Sequence, residues 1–231
     1  MKRIKNWILY RSIYNEVDYQ FALPYLMKSL DKINLEAITI APFLSSGYAN
    51  TKTIEEGTTK SYDTTLKLLD MMNMKEYKNI VYKGATKYTT ESMENNDAVD
   101  KIIDVVLKND KTTIIAIGAI TNIAIAIKKE PSIIDKMEVV WLGGNSFLSH
   151  QNLEFNFRQD INAVRIVFES KVKLTVIPCR NVASNLVATI YELEHYLNNS
   201  EVGRYLCSVF KDLKKYYYKN QEDEYGSSKT L

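Results

Sequence analysis

Residues 112–160 read TTIIAIGAITNIAIAIKKEPSIIDKMEVVWLGGNSFLSHQNLEFNFRQD, and this stretch decides the fold. Residues 114–117 are a short β-branched run that stops at Gly118, the pattern of a buried strand ending in a tight turn. Apolar residues then recur on a helical face over 123–127, until Glu130-Pro131 halts the helix. A second apolar run, 139–142, ends in Gly143-Gly144 and opens a loop rich in Asn, Ser and Gln. That loop leads through Glu154-Phe155-Asn156 to Asp160, where a new amphipathic helix is expected to begin. Strand, glycine turn, helix, strand and glycine loop make a parallel α/β unit, and ligands of such sheets sit in a crevice outside the carboxyl ends of the strands. The ends of these two strands are expected to bring Thr121, Asn122, Glu154 and Asn156 towards one crevice.

Working outward towards the amino terminus, the patterning predicts strands over 7–10, over 35–40 before Pro42, and over 80–82 before Gly84. Between them, Phe21, Leu23, Tyr25 and Leu26 recur at roughly helical spacing after residues 15–20, and 50–74 reads as one long or broken helix. Residues 99–107 form an amphipathic helix with Ile102, Ile103, Val106 and Leu107 inward. Past the central stretch come a helix over 161–168, a strand over 174–177 ended by Pro178, and helices over 191–197 and 202–218. Strands alternating with helices imply right-handed βαβ units and an α/β fold: a mostly parallel, open sheet with helices on both faces. With no internal repeat, low-complexity tract or linker, residues 1–231 are expected to be one domain.

The composition narrows the function. A net charge of +2 makes no electrostatic case for nucleic acid or an anionic membrane, and no apolar run is long enough to span a bilayer. The basic start, Met1-Lys2-Arg3-Ile4-Lys5, lacks the apolar run of a secretory signal, so a cytoplasmic location is expected. Cys179 and Cys207 lack metal-ligand spacing and read as core thiols in a reducing compartment.

Gly118-Ala119-Ile120-Thr121-Asn122-Ile123-Ala124, then Leu142-Gly143-Gly144, then Glu154-Phe155-Asn156 with Asp160, resemble in order and spacing the nucleoside hydrolases of the inosine-uridine preferring type. The resemblance implies a Rossmann-like fold and calcium-assisted hydrolysis of the N-glycosidic bond of ribonucleosides, a salvage reaction. It continues at the first strand, where Asn15-Glu16-Val17-Asp18 and Gln20-Phe21-Ala22-Leu23 match one branch of the family. There the family carries two Asp one residue apart, a Gly, and an Asp-Asp pair opening the helix. In this chain Tyr10 and Ser12 stand at the paired Asp positions, Tyr14 at the Gly and Tyr19 at the second helix-opening Asp; Asp18 alone keeps its carboxylate. The resemblance makes Ser12 the position of the catalytic base, Tyr19 the position of a metal ligand, the Thr121 backbone carbonyl a further ligand, and Asp18, Glu154 and Asn156 the residues that contact ribose.

Calcium takes six to eight oxygens, several of them carboxylate. In the family it lowers the pKa of a water, whose proton an Asp ligand accepts before attack on the anomeric carbon. A serine hydroxyl has no useful basicity at neutral pH, and a protonated phenol is a poor calcium ligand. The expectation is therefore that calcium, the family's cofactor, is not bound here. The tyrosines are expected to fill the space of the lost carboxylates. Gly226-Ser227-Ser228-Lys229-Thr230-Leu231 resembles the lead-in to a further family segment carrying the last calcium-binding Asp, and the chain is read as incomplete at that end. His150 and His195 read as surface residues, and the ribose-contacting Asn expected near Leu44 or Ser45 is not evident. Three readings follow: a family enzyme with an altered site, a non-catalytic homologue that at most binds a ribonucleoside or ribose-like ligand, and a structural partner assembling through surfaces such as Tyr216-Tyr217-Tyr218. Homo-oligomerisation stays open.

Overall fold

The computed structural model describes residues 5–14, 17–146 and 148–217. Six strands, β1 (Lys5–Arg11), β2 (Ile33–Ile40), β3 (Val81–Tyr82), β4 (Thr112–Ile117), β5 (Met137–Leu142) and β6 (Lys173–Ile177), form one sheet. Their order is β3-β2-β1-β4-β5-β6, and every neighbouring pair is parallel. The strand order reverses between β1 and β4, which places a topological switch point at the carboxyl ends of those two strands.

The helices are α1 (Val17–Met27), α2 (Ile54–Met71), α3 (Asp97–Lys108), α4 (Thr121–Lys129), α5 (Phe155–Gln159), α6 (Ile161–Glu169), α7 (Ile190–Leu197) and α8 (Glu201–Tyr217). Of the two expectations over 50–74, one long helix or a broken one, the structure has one continuous helix, Ile54–Met71. Thr53 caps it by accepting the Glu56 amide at 3.1 Å, and no proline or helix-breaking glycine pair interrupts its interior. Strand side chains alternate between the two faces. Ile8, Tyr10, Ile114, Ala116, Val139 and Trp141 pack with Val99, Ile102, Ile123, Ile127, Ala163 and Val167 of α3, α4 and α6. On the opposite face Leu9, Ile38 and Ile40 meet Leu23 and Leu26 of α1, Leu68 and Leu69 of α2, and Val202 and Leu206 of α8.

Cys207 is buried, whereas Cys179, just past β6, is only half-buried and so departs from the core position expected of it; the two are not joined in a disulfide. His150 and His195 are exposed. Of the tyrosine run at 216–218, only Tyr216 has a described side chain; it meets Tyr48 edge-on with ring centroids 5.7 Å apart. The carboxyl-terminal segment over 226–231 lies outside the described residues, as do Asn15 and Glu16.

Candidate functional site

Two close backbone approaches shape the switch point. A Cβ on Gly118 would stand 2.7 Å from the Ala41 Cβ and 3.1 Å from the Ser12 amide nitrogen, so glycine lets the end of β4 lie against the end of β1. Ser12 N donates to the Ile117 carbonyl at 3.3 Å across the same gap. On the far side of β2, Gly84 leaves no room for a Cβ, which would fall 1.9 Å from the Ile40 carbonyl oxygen and 2.2 Å from the Asn122 amide. Asn122 uses that proximity: its Oδ1 accepts the Ala85 amide and its Nδ2 donates to Ile40 O, both at 2.9 Å. It therefore ties the start of α4 to the ends of β2 and β3.

Asp160 is the hub under the crevice. Its carboxylate accepts the Thr89 amide at 2.9 Å, the Thr89 hydroxyl at 2.6 Å, the Thr121 hydroxyl at 2.8 Å and the Ala163 amide at 3.0 Å. The last bond caps α6, which satisfies an otherwise orphaned helix donor. The Thr121 side chain is thus turned down to Asp160. Thr121 opens α4, and just before it the Ile120 carbonyl accepts the Ala124 amide.

Glu154 and Asn156 do reach the same region, but the chain itself engages them. Glu154 caps α5, accepting the amides of Gly144 at 3.0 Å, Asn156 at 2.9 Å and Phe157 at 3.2 Å. Burial pushes its carboxyl above the ordinary carboxylate range, against the lowering effect of those three N–H groups. Asn156 is wholly buried; its Nδ2 donates to the Leu142 carbonyl and to the Tyr19 phenol, each at 2.9 Å.

Two tyrosines, Tyr10 on β1 and Tyr19 on α1, link these groups. Tyr19, in the first turn of α1 and 2% exposed, spans to Asn156. Tyr10, fully buried, donates its phenol to the Ala119 carbonyl and accepts the Asn122 amide at 3.3 Å. Burial drives the Tyr10 phenol far above its ordinary pKa, so it stays neutral. Ser12 is enclosed, and among the described residues its Oγ has no hydrogen-bond partner. Trp141 closes the floor, donating Nε1–H to the Gly118 carbonyl at 2.9 Å. At the rim, where an Asn is absent near Leu44 and Ser45, Gln159 bridges instead. Its Oε1 accepts from Leu44 N at 2.9 Å and from the Tyr88 phenol, and its Nε2 donates to Leu44 O at 3.1 Å.

Two roles are not legible in the sequence. Asp160, expected as a helix start and as part of the family motif, is in addition the clamp on Thr121 and Thr89. Arg11 is fully buried, its Nη2 donating to the Tyr19 carbonyl at 2.6 Å. A charge in the middle of an apolar strand run, Ile8-Leu9-Tyr10-Arg11-Ser12-Ile13, was the signal available for it.

Among the described residues no group of three or more His, Cys, Asp and Glu side chains could hold a metal ion. Asp18, the Ser12 hydroxyl and the Thr121 carbonyl do not amount to the carboxylate-rich shell that calcium takes, so the residues present do not fit that ion. Nor, among the described residues, is any helix long and apolar enough to cross a membrane.

Comparison with known proteins gives a consistent picture. The family model described as inosine-uridine preferring nucleoside hydrolase matches residues 17–230. A pyrimidine-specific ribonucleoside hydrolase, RihB, of Escherichia coli O1:K1 / APEC is 31% identical over 144 residues, which are 59% of this chain and 44% of that protein. The chain therefore matches less than half the length of that curated relative. A solved purine-preferring ribonucleoside hydrolase from Gardnerella vaginalis superposes with a TM-score of 0.74 at 25% identity, covering 93% of this chain and 73% of that one. The plant nucleoside hydrolase PpNRh1 has the same fold, with a TM-score of 0.74 at 20% identity over 94% of this chain and 73% of its own.

Proposed function

Because the chain belongs to the inosine-uridine preferring nucleoside hydrolase family, we propose that it is a non-hydrolytic member of it, with a crevice closed over by its own side chains. The family reaction is hydrolysis of the ribonucleoside N-glycosidic bond. The observation that carries the proposal is the bond between the Tyr19 phenol and the Asn156 amide, 2.9 Å long and buried at the switch point. A phenol at that place contributes neither a calcium ligand nor a base at neutral pH, and it ties up an amide that a ribose hydroxyl would need. Ser12, at the position of the family base, supports the same reading, since a hydroxyl without a basic neighbour does not take a proton from water.

What remains for ligand recognition is modest. Asp18 is the carboxylate that a ribose-like ligand could still use. Glu154 and Asn156 serve in this proposal as the frame beneath it, since each is engaged by backbone groups or by Tyr19.

A reducing-sugar assay with inosine, uridine and a nitrophenyl riboside tests the proposal. No release above background is expected from the wild-type chain, because losing a general base alone removes about 10²–10⁴-fold. Riboside hydrolysis that Ser12→Ala abolishes would overturn it, since Ser12 would then take part in the chemistry.

A further inference from the structure

Arg11 leaves β1 on the face opposite Tyr10, the side covered by α1, because strand side chains alternate. Its side chain is 0% exposed. Nη2 donates to the Tyr19 carbonyl 2.6 Å away, which fixes the guanidinium against the first turn of α1. Among the described residues Nε and Nη1 have no hydrogen-bond partner. Asp18, the residue before Tyr19, is the carboxylate whose charge favours the guanidinium, against burial, which lowers its pKa to about 9. One neutral carbonyl is poor compensation for a guanidinium withdrawn from water; a nearby opposite charge is what makes such burial tolerable. The first turn of a helix is also an unfavourable place for a cation, since its amides carry partial positive charge. Arg11 is therefore held there against two penalties, and the charge of Asp18 works against the first of them.

We propose that Arg11 is the resident cation of the crevice: its guanidinium, pinned on the Tyr19 carbonyl beside Asp18, permanently balances that carboxylate and opposes entry of a divalent metal ion. The proposal rests on the reading that this chain works without a metal. It adds the reason for that independence: a tethered positive charge repels a second cation from the same carboxylate, and the repulsion is strong where water is excluded. Arg11 thus acts as a positioning residue at the opening of α1, through its bond to the Tyr19 carbonyl.

The test is a stability cycle on the full chain with Arg11→Gln, Arg11→Lys, Asp18→Asn and the double variant Arg11→Gln/Asp18→Asn, read as melting temperature. Arg11→Gln should lower it most and Arg11→Lys less. The double variant should melt above Arg11→Gln, because removing both charges is less costly than stranding one. A loss in the double variant equal to the sum of the single losses would overturn the proposal. Should Arg11→Gln fail to fold, a folded double variant upholds the coupling; an unfolded one, with Asp18→Asn folded, refutes it. Terbium, whose emission tyrosines sensitise, gives a second reading. Its affinity should rise about tenfold in Arg11→Gln or, if that variant does not fold, in Arg11→Ala with Asp18 unchanged. Equal affinity in the wild type would count against the resident cation. Riboside hydrolysis by the wild type would end the non-hydrolytic reading while leaving the cycle intact, so the two failures are distinguishable.

Discussion

Single residues at the switch point make sharp predictions because so much there is buried. Tyr19→Phe removes the acceptor of one Asn156 Nδ2 proton while Leu142 O retains the other. The expected loss is about 1 kcal/mol in urea denaturation, the usual scale for one intramolecular hydrogen bond. Ser12→Asp is different in kind. It forces a carboxylate into a fully enclosed position and should cost about 3 kcal/mol or more. A Ser12→Asp protein as stable as the wild type would show that the crevice still has room for a charged ligand. Glu154 predicts a pH effect. Its pKa is raised in the folded state, so its contribution is most favourable below the ordinary carboxylate range and is lost as pH rises through the raised value. The stability difference between wild type and Glu154→Gln, followed by urea midpoints across that window, should change in this direction.

At the scale of elements, the packing of α4 against the strand ends depends on Gly84. Gly84→Ala would drive a methyl group into the Ile40 carbonyl and the Asn122 amide, and both are backbone-linked groups that cannot swing aside. A loss of about 3 kcal/mol in thermal or urea unfolding is expected, with Gly84→Ala in an Asn122→Ala background recovering part of it. Glu138 does a comparable job at the other end of β5. It accepts from Lys173 at the start of β6 at 2.9 Å and from Thr113 of β4 at 2.9 Å, and pairs with Lys111 at 3.3 Å. Lys173, then Thr113, hold its carboxyl at about 2, well below the ordinary range. That stabilisation is present above the ordinary carboxylate pKa and is lost as pH falls towards about 2. Glu138→Gln should therefore destabilise by about 1 kcal/mol at neutral pH, with the difference vanishing in acid.

For the whole molecule, the prediction concerns calcium. A ligand that binds only the folded state adds about 2.7 kcal/mol at a hundredfold excess over its dissociation constant. Melting curves in millimolar calcium and in chelator should coincide, and a calcium-dependent rise of several degrees would refute the metal-free reading. The global fold was legible because parallel strands buried on both faces must be short apolar runs separated by helical periodicity, and β4, α4 and β5 announce both. The strands run past their expected edges where flanking residues still pair, as Thr112 and Met137 do across β4 and β5. The two-residue β3, preceded by a 3-10 turn over Lys75–Ile80, also lay close to its expected place.

The sequence by itself determined the α/β architecture, the family, and the chemical identity of the groups at the carboxyl ends of β1 and β4. Each of these follows from local patterns: period, glycine position and the residue type at a motif position. Only the tertiary structure decided what those groups touch. Glu154 is a ribose contact by resemblance and a helix cap by geometry, and nothing in the string Glu154-Phe155-Asn156 distinguishes the two roles. Asp160 likewise receives Thr89 from 71 residues away, a pairing that no spacing encodes. Arg11 reads as a polar interruption of a strand until α1 folds back over it and sets the Tyr19 carbonyl against its guanidinium. Side-chain partnership depends on which surfaces the crossovers bring together, and for buried polar groups the penalty of going without a partner makes that choice as binding as the hydrophobic pattern itself.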